Sequence, residues 1–136
     1  MAPLAMLAYT DDPILQLASA WKYSVNRATL PPDQRPYHWG ETARHRTGRR
    51  RIGYLSSDLR SHAVGFLMAE VFEMHDREAF EIFVYYCGIE QDDALKTRIR
   101  ESVEHWMDVR GWKDEAVAAR IAADRIDILV DLNAHT

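Results

Sequence analysis

Four short apolar runs, separated by three stretches of helical periodicity, predict an α/β protein built on a parallel sheet. The runs are Arg51–Leu55, Glu81–Tyr86, His105–Val109 and Asp127–Leu132. The intervening stretches have the length that a right-handed crossover between parallel strands requires. Strands alternating with helices place helices on both faces of the sheet. The simplest Rossmann-like arrangement of four such strands has the spatial order 3-2-1-4, with the fourth strand at an edge beside the first.

A helix precedes this sheet. Asp12 stands where a helix cap is expected and Pro13 fits the first turn, followed by Ile14, Leu15, Leu17, Ala18, Trp21 and Val25 on one side. The pattern ends near Arg27, because Pro31-Pro32 cannot continue it. Residues 1–30 therefore read as a helical segment, 31–48 as a Pro- and Gly-containing linker, and 49–136 as the sheet domain.

The first strand follows the basic residues Arg44, His45, Arg46, Arg49, Arg50 and Arg51. These read as a solvated ramp into the strand, with phosphate binding as the alternative. The strand breaks at Ser56-Ser57-Asp58, and helical spacing resumes at Val64, Leu67, Met68 and Val71. Asp92–Val103 reads as the next helix, with Ala94, Leu95, Ile99 and Val103 on one side. Lys113–Asp124, rich in alanine, reads as the last. The continuous apolar middle of Asp127–Leu132 suggests a strand covered on both faces.

Composition narrows the function. A chain of 136 residues is long enough to bury about two-thirds of its unfolded surface, and 47% apolar with 28% charged residues is ordinary for a globular protein. A net charge of −4 argues against nucleic acid as a partner. No apolar run reaches the length of a membrane span, and the amino terminus lacks the charged flank of a signal peptide. Cys87 is the single cysteine, so no internal disulfide forms. A cytoplasmic location is expected.

Motifs narrow it further. Neither the Gly-x-Gly-x-x-Gly turn of dinucleotide folds nor a Gly-x-x-x-x-Gly-Lys-Ser/Thr phosphate loop is present. The six histidines are scattered, with no metal-ligand spacing, so a metal site is only weakly supported. What remains are two polar loops. Ligands of open parallel sheets sit outside the carboxyl ends of the strands, where the Ser56–His62 loop lies. There Asp58 and His62 stand four apart, and a carboxylate beside an imidazole suits proton transfer. The plain alternative makes Asp58 a helix cap and His62 an exposed polar residue. The second loop, Asn133-Ala134-His135-Thr136, follows the neighbouring fourth strand; Asn133 and His135 read equally as turn chemistry.

The string Arg51-Ile52-Gly53-Tyr54-Leu55-Ser56-Ser57-Asp58, then His62, then Ile128-Leu129-Val130-Asp131-Leu132-Asn133-Ala134-His135-Thr136, resembles the amino-terminal part of the catalytic region of protein O-GlcNAc transferases and SPINDLY-like proteins, glycosyltransferase family 41. Pro3-Leu4 and Thr10-Asp11-Asp12-Pro13 resemble the bacterial members just before that region. Ala134 departs from a common glycine and Ala63 from a frequent proline.

The resemblance implies part of the first lobe of a GT-B fold. It implies transfer of N-acetylglucosamine, with inversion, from UDP-GlcNAc to Ser or Thr of proteins, with no metal and no cofactor; a fucose donor is the variant found in SPINDLY-like relatives. Asp58 then matches a proposed base or proton relay and His62 an active-site histidine, while Asn133, His135 and Thr136 match a substrate-side loop. Residues 1–30 match the end of a TPR region that presents the protein acceptor. The donor-binding lobe is expected beyond Thr136, so the chain alone is expected to be inactive. The open edge at Asp127–Leu132 calls for that missing lobe, another partner, or a second copy in a homo-oligomer. The alternative to an enzyme fragment is a non-catalytic remnant or protein-binding module that keeps the half-lobe fold.

Overall fold

The computed structural model describes residues 3–28 and 48–133, which fall into two compact units, one holding each range. In the first unit, α1 (Pro3–Met6) is a single turn, and α2 (Pro13–Ala28) is the helix the sequence predicts. Asp12 caps α2: its Oδ1 accepts the N–H groups of Ile14 at 2.8 Å and Leu15 at 3.4 Å. Thr10 Oγ1 in turn accepts Asp12 N–H at 3.1 Å, so the turn before the helix is held as well. The predicted linker lies outside the described residues apart from Gly48.

The second unit runs β1 (Arg50–Ser56), α3 (Ala63–Met74), β2 (Phe80–Tyr86), α4 (Ala94–Glu101), β3 (His105–Asp108), α5 (Asp114–Ala123) and β4 (Ile128–Asp131). Its four strands pair in parallel in the order β3-β2-β1-β4, as the sequence predicts. The side chains divide with the period of two that a pleated strand imposes. Ile52 and Tyr54 of β1 and Ile82, Val84 and Tyr86 of β2 meet α3 and α4 through Ala69, Phe72, Leu95 and Ile99. Phe83 and Tyr85 face the other way, toward Val109, Ile126, and Val117 and Ile121 of α5. Helices therefore cover both faces. The sheet is centred on β2, whose residues Ile82 to Tyr86 are all buried.

Two helices are shorter than the sequence reading expects. The helix expected over Asp92–Val103 is shorter, because Asp93 leaves helical geometry to cap it, its Oδ1 accepting Lys96 N–H at 2.9 Å. Val103 lies beyond the helix yet still packs on the core. At the other helix, Lys113 and Asp124 flank α5 as caps rather than belonging to it. The fourth strand takes the expected edge position, pairing only with β1 among the described residues; Leu129 packs on one face of the sheet and Val130 on the other, while Ile128 at its start is 49% exposed.

The basic lead-in is absorbed at the amino end of the sheet. Arg49 Nη1 donates to the carbonyls of Arg77 and Phe80 and pairs with Glu104 at 2.8 Å. Arg51 Nε pairs with Glu81 at 2.8 Å, and its Nη1 donates to the Asp124 carbonyl. Those two guanidiniums fix strand ends rather than awaiting phosphate. Arg44, His45 and Arg46 lie outside the described residues.

Candidate active site

The loop from β1 to α3 is built by short-range hydrogen bonds. Ser56, fully buried at the end of β1, accepts Asp58 N–H on its Oγ at 3.1 Å. Arg60 N–H donates to the Asp58 carbonyl, and His62 N–H to the Arg60 carbonyl. Between them Leu59, also fully buried, pins the loop to the core. Gly65 then permits the first turn of α3 to approach: a Cβ there would stand 2.0 Å from the Arg60 carbonyl oxygen. Gly88, after β2, does the same for the other side of the loop, since its Cβ would stand 2.0 Å from the Ser57 carbonyl oxygen.

His62, not Asp58, caps α3. The His62 backbone is extended, and its Nδ1 accepts the Val64 N–H at 3.3 Å. The helix therefore starts after His62 rather than between the two residues. With Nδ1 accepting, the proton of the neutral imidazole sits on Nε2. The Nδ1 of His62 is 4.0 Å from Asp58 Oδ1, too far for a hydrogen bond, so the two residues are neighbours without forming a relay pair.

The Asp58 side chain is 17% exposed. Its Oδ1 faces Arg60 Nη2 at 3.5 Å, and its Oδ2 accepts from Asn133 Nδ2 at 3.1 Å. Asn133 comes from the second loop. Its Oδ1 also accepts Ser57 N–H at 2.8 Å, while its Nδ2 donates to Ser57 Oγ at 2.7 Å. The two loops that the strand order brings together are thus joined through Asn133. The turn itself belongs to Asp131, whose Oδ1 accepts Asn133 N–H at 2.9 Å. His135 and Thr136 lie outside the described residues.

Sequence reasoning missed two neighbours. Arg60 stands two residues from Asp58, and that proximity was the available signal. Cys87 is exposed at the end of β2, its N–H donating to the Ser56 carbonyl at 3.0 Å. Partial burial pushes the Cys87 thiol up, and the Asp131 and Asp58 carboxylates push the same way. Those effects favour the neutral thiol over the thiolate that a nucleophile needs. Among the described residues, no group of three or more His, Cys, Asp or Glu could hold a metal ion, and no helix is long and apolar enough to cross a membrane.

An open groove of about 480 Å³ lies elsewhere, lined by Glu73, Ala94, Thr97, Arg98, Glu101 and Ser102. Its charges answer each other, with Arg98 on Glu73 at 2.7 Å, and none of the candidate residues lines it.

The profile of Glycosyl transferase family 41 matches residues 24–136. The chain belongs to glycosyltransferase family 41. Among its relatives, a probable UDP-N-acetylglucosamine–peptide N-acetylglucosaminyltransferase, SEC, of Arabidopsis thaliana is 37% identical over 142 residues, covering 98% of this chain and 14% of that protein. The UDP-N-acetylglucosamine–peptide N-acetylglucosaminyltransferase of Caenorhabditis elegans is 35% identical over 89 residues, covering 65% of this chain and 8% of that protein. A mutant of the Thermobaculum terrenum O-GlcNAc transferase superposes with a TM-score of 0.78 at 34% identity, over 93% of this chain and 24% of that one.

The likeness to a solved family 41 structure identifies the four-stranded sheet as part of the first lobe of a GT-B fold. This chain spans 14% of the plant relative and 24% of the bacterial one. In family 41 terms, Asp58 lies at the carboxyl end of the first-lobe sheet.

Proposed function

We propose that the full-length polypeptide carrying this chain is a protein O-GlcNAc transferase, moving N-acetylglucosamine from UDP-GlcNAc to a Ser or Thr hydroxyl. The observation that carries the reading is the Asp58 carboxylate, held by Asn133 at the carboxyl end of the sheet in a family 41 chain. The acceptor oxygen attacks the anomeric carbon, the bond from that carbon to the diphosphate oxygen breaks, and configuration inverts. A hydroxyl is a poor nucleophile at neutral pH, so its proton passes to Asp58 as the new bond forms. Nε2–H of His62 donates to a substrate oxygen in the same crevice. By the family resemblance, His135 and Thr136 are assigned to substrate binding.

Stabilisation of the departing UDP falls to the second lobe, by electrostatic contacts rather than by a metal. The helix α2 ends a TPR region that presents the acceptor, and the enzyme works in the cytoplasm. The outer edge of β4 is covered by the continuing lobe rather than by a second copy.

The test incubates the full-length polypeptide with UDP-GlcNAc and an acceptor peptide and follows the peptide mass. Addition of one N-acetylhexosamine, undiminished by EDTA, is expected. No addition, with tight acceptor binding retained, supports the non-catalytic binding module instead. Addition of a deoxyhexose from GDP-fucose but nothing from UDP-GlcNAc moves the donor assignment to fucose.

A further inference from the structure

The Asn133 amide is already committed. Its Oδ1 accepts Ser57 N–H, and its two Nδ2 protons go to Ser57 Oγ at 2.7 Å and Asp58 Oδ2 at 3.1 Å. A primary amide has only two such protons, so its donor capacity is used within the protein. The residue is also anchored from its own side. Asn133 N–H donates to Asp131 Oδ1, and the preceding Leu132 N–H continues the ladder to the Leu55 carbonyl at 3.0 Å. Leu132 packs on the core. The amide therefore stands at a fixed point, separated from Ser57 and Asp58 by some 75 residues of chain but adjacent to them across the β1–β4 pairing.

We infer that Asn133 is the positioning residue for Asp58, orienting its carboxylate through Nδ2 and latching the Ser57 peptide through Oδ1, rather than a substrate ligand. This rests on the proposed transferase reading. A free aspartate rotates about its last bond and presents either oxygen. Here Oδ2 is tied to the amide while Oδ1 is turned toward Arg60 and His62, so one orientation is selected. Proton transfer is sensitive to such placement, since a misplacement of about 1 Å costs on the order of 100-fold in rate.

Two variants separate the roles. Asn133→Ala removes both latch and orientation. Asn133→Asp keeps an acceptor for Ser57 N–H, and the Ser57 hydroxyl turns to donate to the new carboxylate, so the latch survives. Asp58, however, then faces a negative oxygen where it had a donor.

In the full-length polypeptide, Asn133→Asp is expected to fold cooperatively, unfolding somewhat below the parent because of that repulsion. Its kcat falls about 10–100-fold while both KM values stay within about twofold, the signature of an interaction made with the reacting geometry and not with bound substrate. A raised KM at unchanged kcat overturns the inference in favour of a substrate ligand. Full kcat in Asn133→Asp overturns it in favour of a latch alone.

A second measurement is independent of activity. The chain has two asparagines, Asn26 and Asn133, so selective ¹⁵N-asparagine labelling of the 136-residue chain gives two side-chain amide signals. Asp58→Ala is expected to shift one and leave the other in place; no shift of either overturns the inference. An inactive parent would defeat the transferase reading, and the amide signals would still decide whether Asn133 holds Asp58.

Discussion

At the amino end of the sheet, Glu104 gathers three donors around one carboxylate. It accepts Ile82 N–H at 3.0 Å, Arg49 at 2.8 Å and Arg77 at 2.6 Å. Burial opposes its ionisation, but the Ile82 N–H and the Arg49 and Arg77 guanidiniums outweigh it and hold the carboxyl below the usual range. A carboxyl with a lowered folded-state pKa contributes stability that is fully present above its unfolded value near 4.5 and is lost as pH falls through the folded value. Glu104→Gln is therefore expected to destabilise by about 1–3 kcal/mol at neutral pH. It should also flatten the acid side of the stability curve, as urea titrations between pH 3 and 7 would measure. An unchanged slope would contradict the assignment. Asp58, His62 and Asn133 were legible as candidates because polar residues follow apolar strands there. Their partnerships were not: Arg49 and Glu104 lie 55 residues apart, and Ser57 and Asn133 lie 76 apart, so only the sheet order brings each pair together.

Among the elements, α3 depends on a close approach rather than on its own propensity. The backbone of Arg60 occupies the space where a Cβ on Gly65 would sit, at 2.0 Å, whereas a Cβ on Gly111 would meet nothing within 4 Å and only its φ of +72° disfavours a side chain. Gly111→Ala is expected to cost about 1–2 kcal/mol from backbone strain alone. Gly65→Ala has to displace a backbone, and overpacking of that kind costs about 1–3 kcal/mol or more. Thermal unfolding should rank Gly65→Ala well below Gly111→Ala, and the reverse order would show that the loop yields to the helix. The sequence reading found every strand and each of the longer helices here because their apolar periods are regular. It placed the cap of α2 at Asp12 but missed that of α3, where His62 and not Asp58 turns back to the helix, because local pattern does not say which of two nearby polar side chains does so. The edge position of Ile128–Val130, by contrast, was legible, because it follows from the strand order and not from the apolar run itself.

For the whole molecule, the parallel sheet explains why chemistry collects where it does. Order β3-β2-β1-β4 sets the loops after β1 and β4 side by side at the carboxyl end, and the arginines at the amino end are occupied in holding strands. The family and the first-lobe fold could be read from two separated motifs because both flank the same pair of strands. The chain spans 14% of its plant relative, so transfer is expected of the full-length polypeptide and not of these 136 residues alone. The most direct test of the central claim is the turnover of Asp58→Asn in that polypeptide, with UDP-GlcNAc and acceptor peptide both saturating. Loss of a positioned proton acceptor typically costs about 100–10,000-fold. A fall of that size, with the unfolding temperature and both KM values preserved, is the predicted result. Turnover within a few-fold of the parent would contradict it and remove Asp58 from the chemistry.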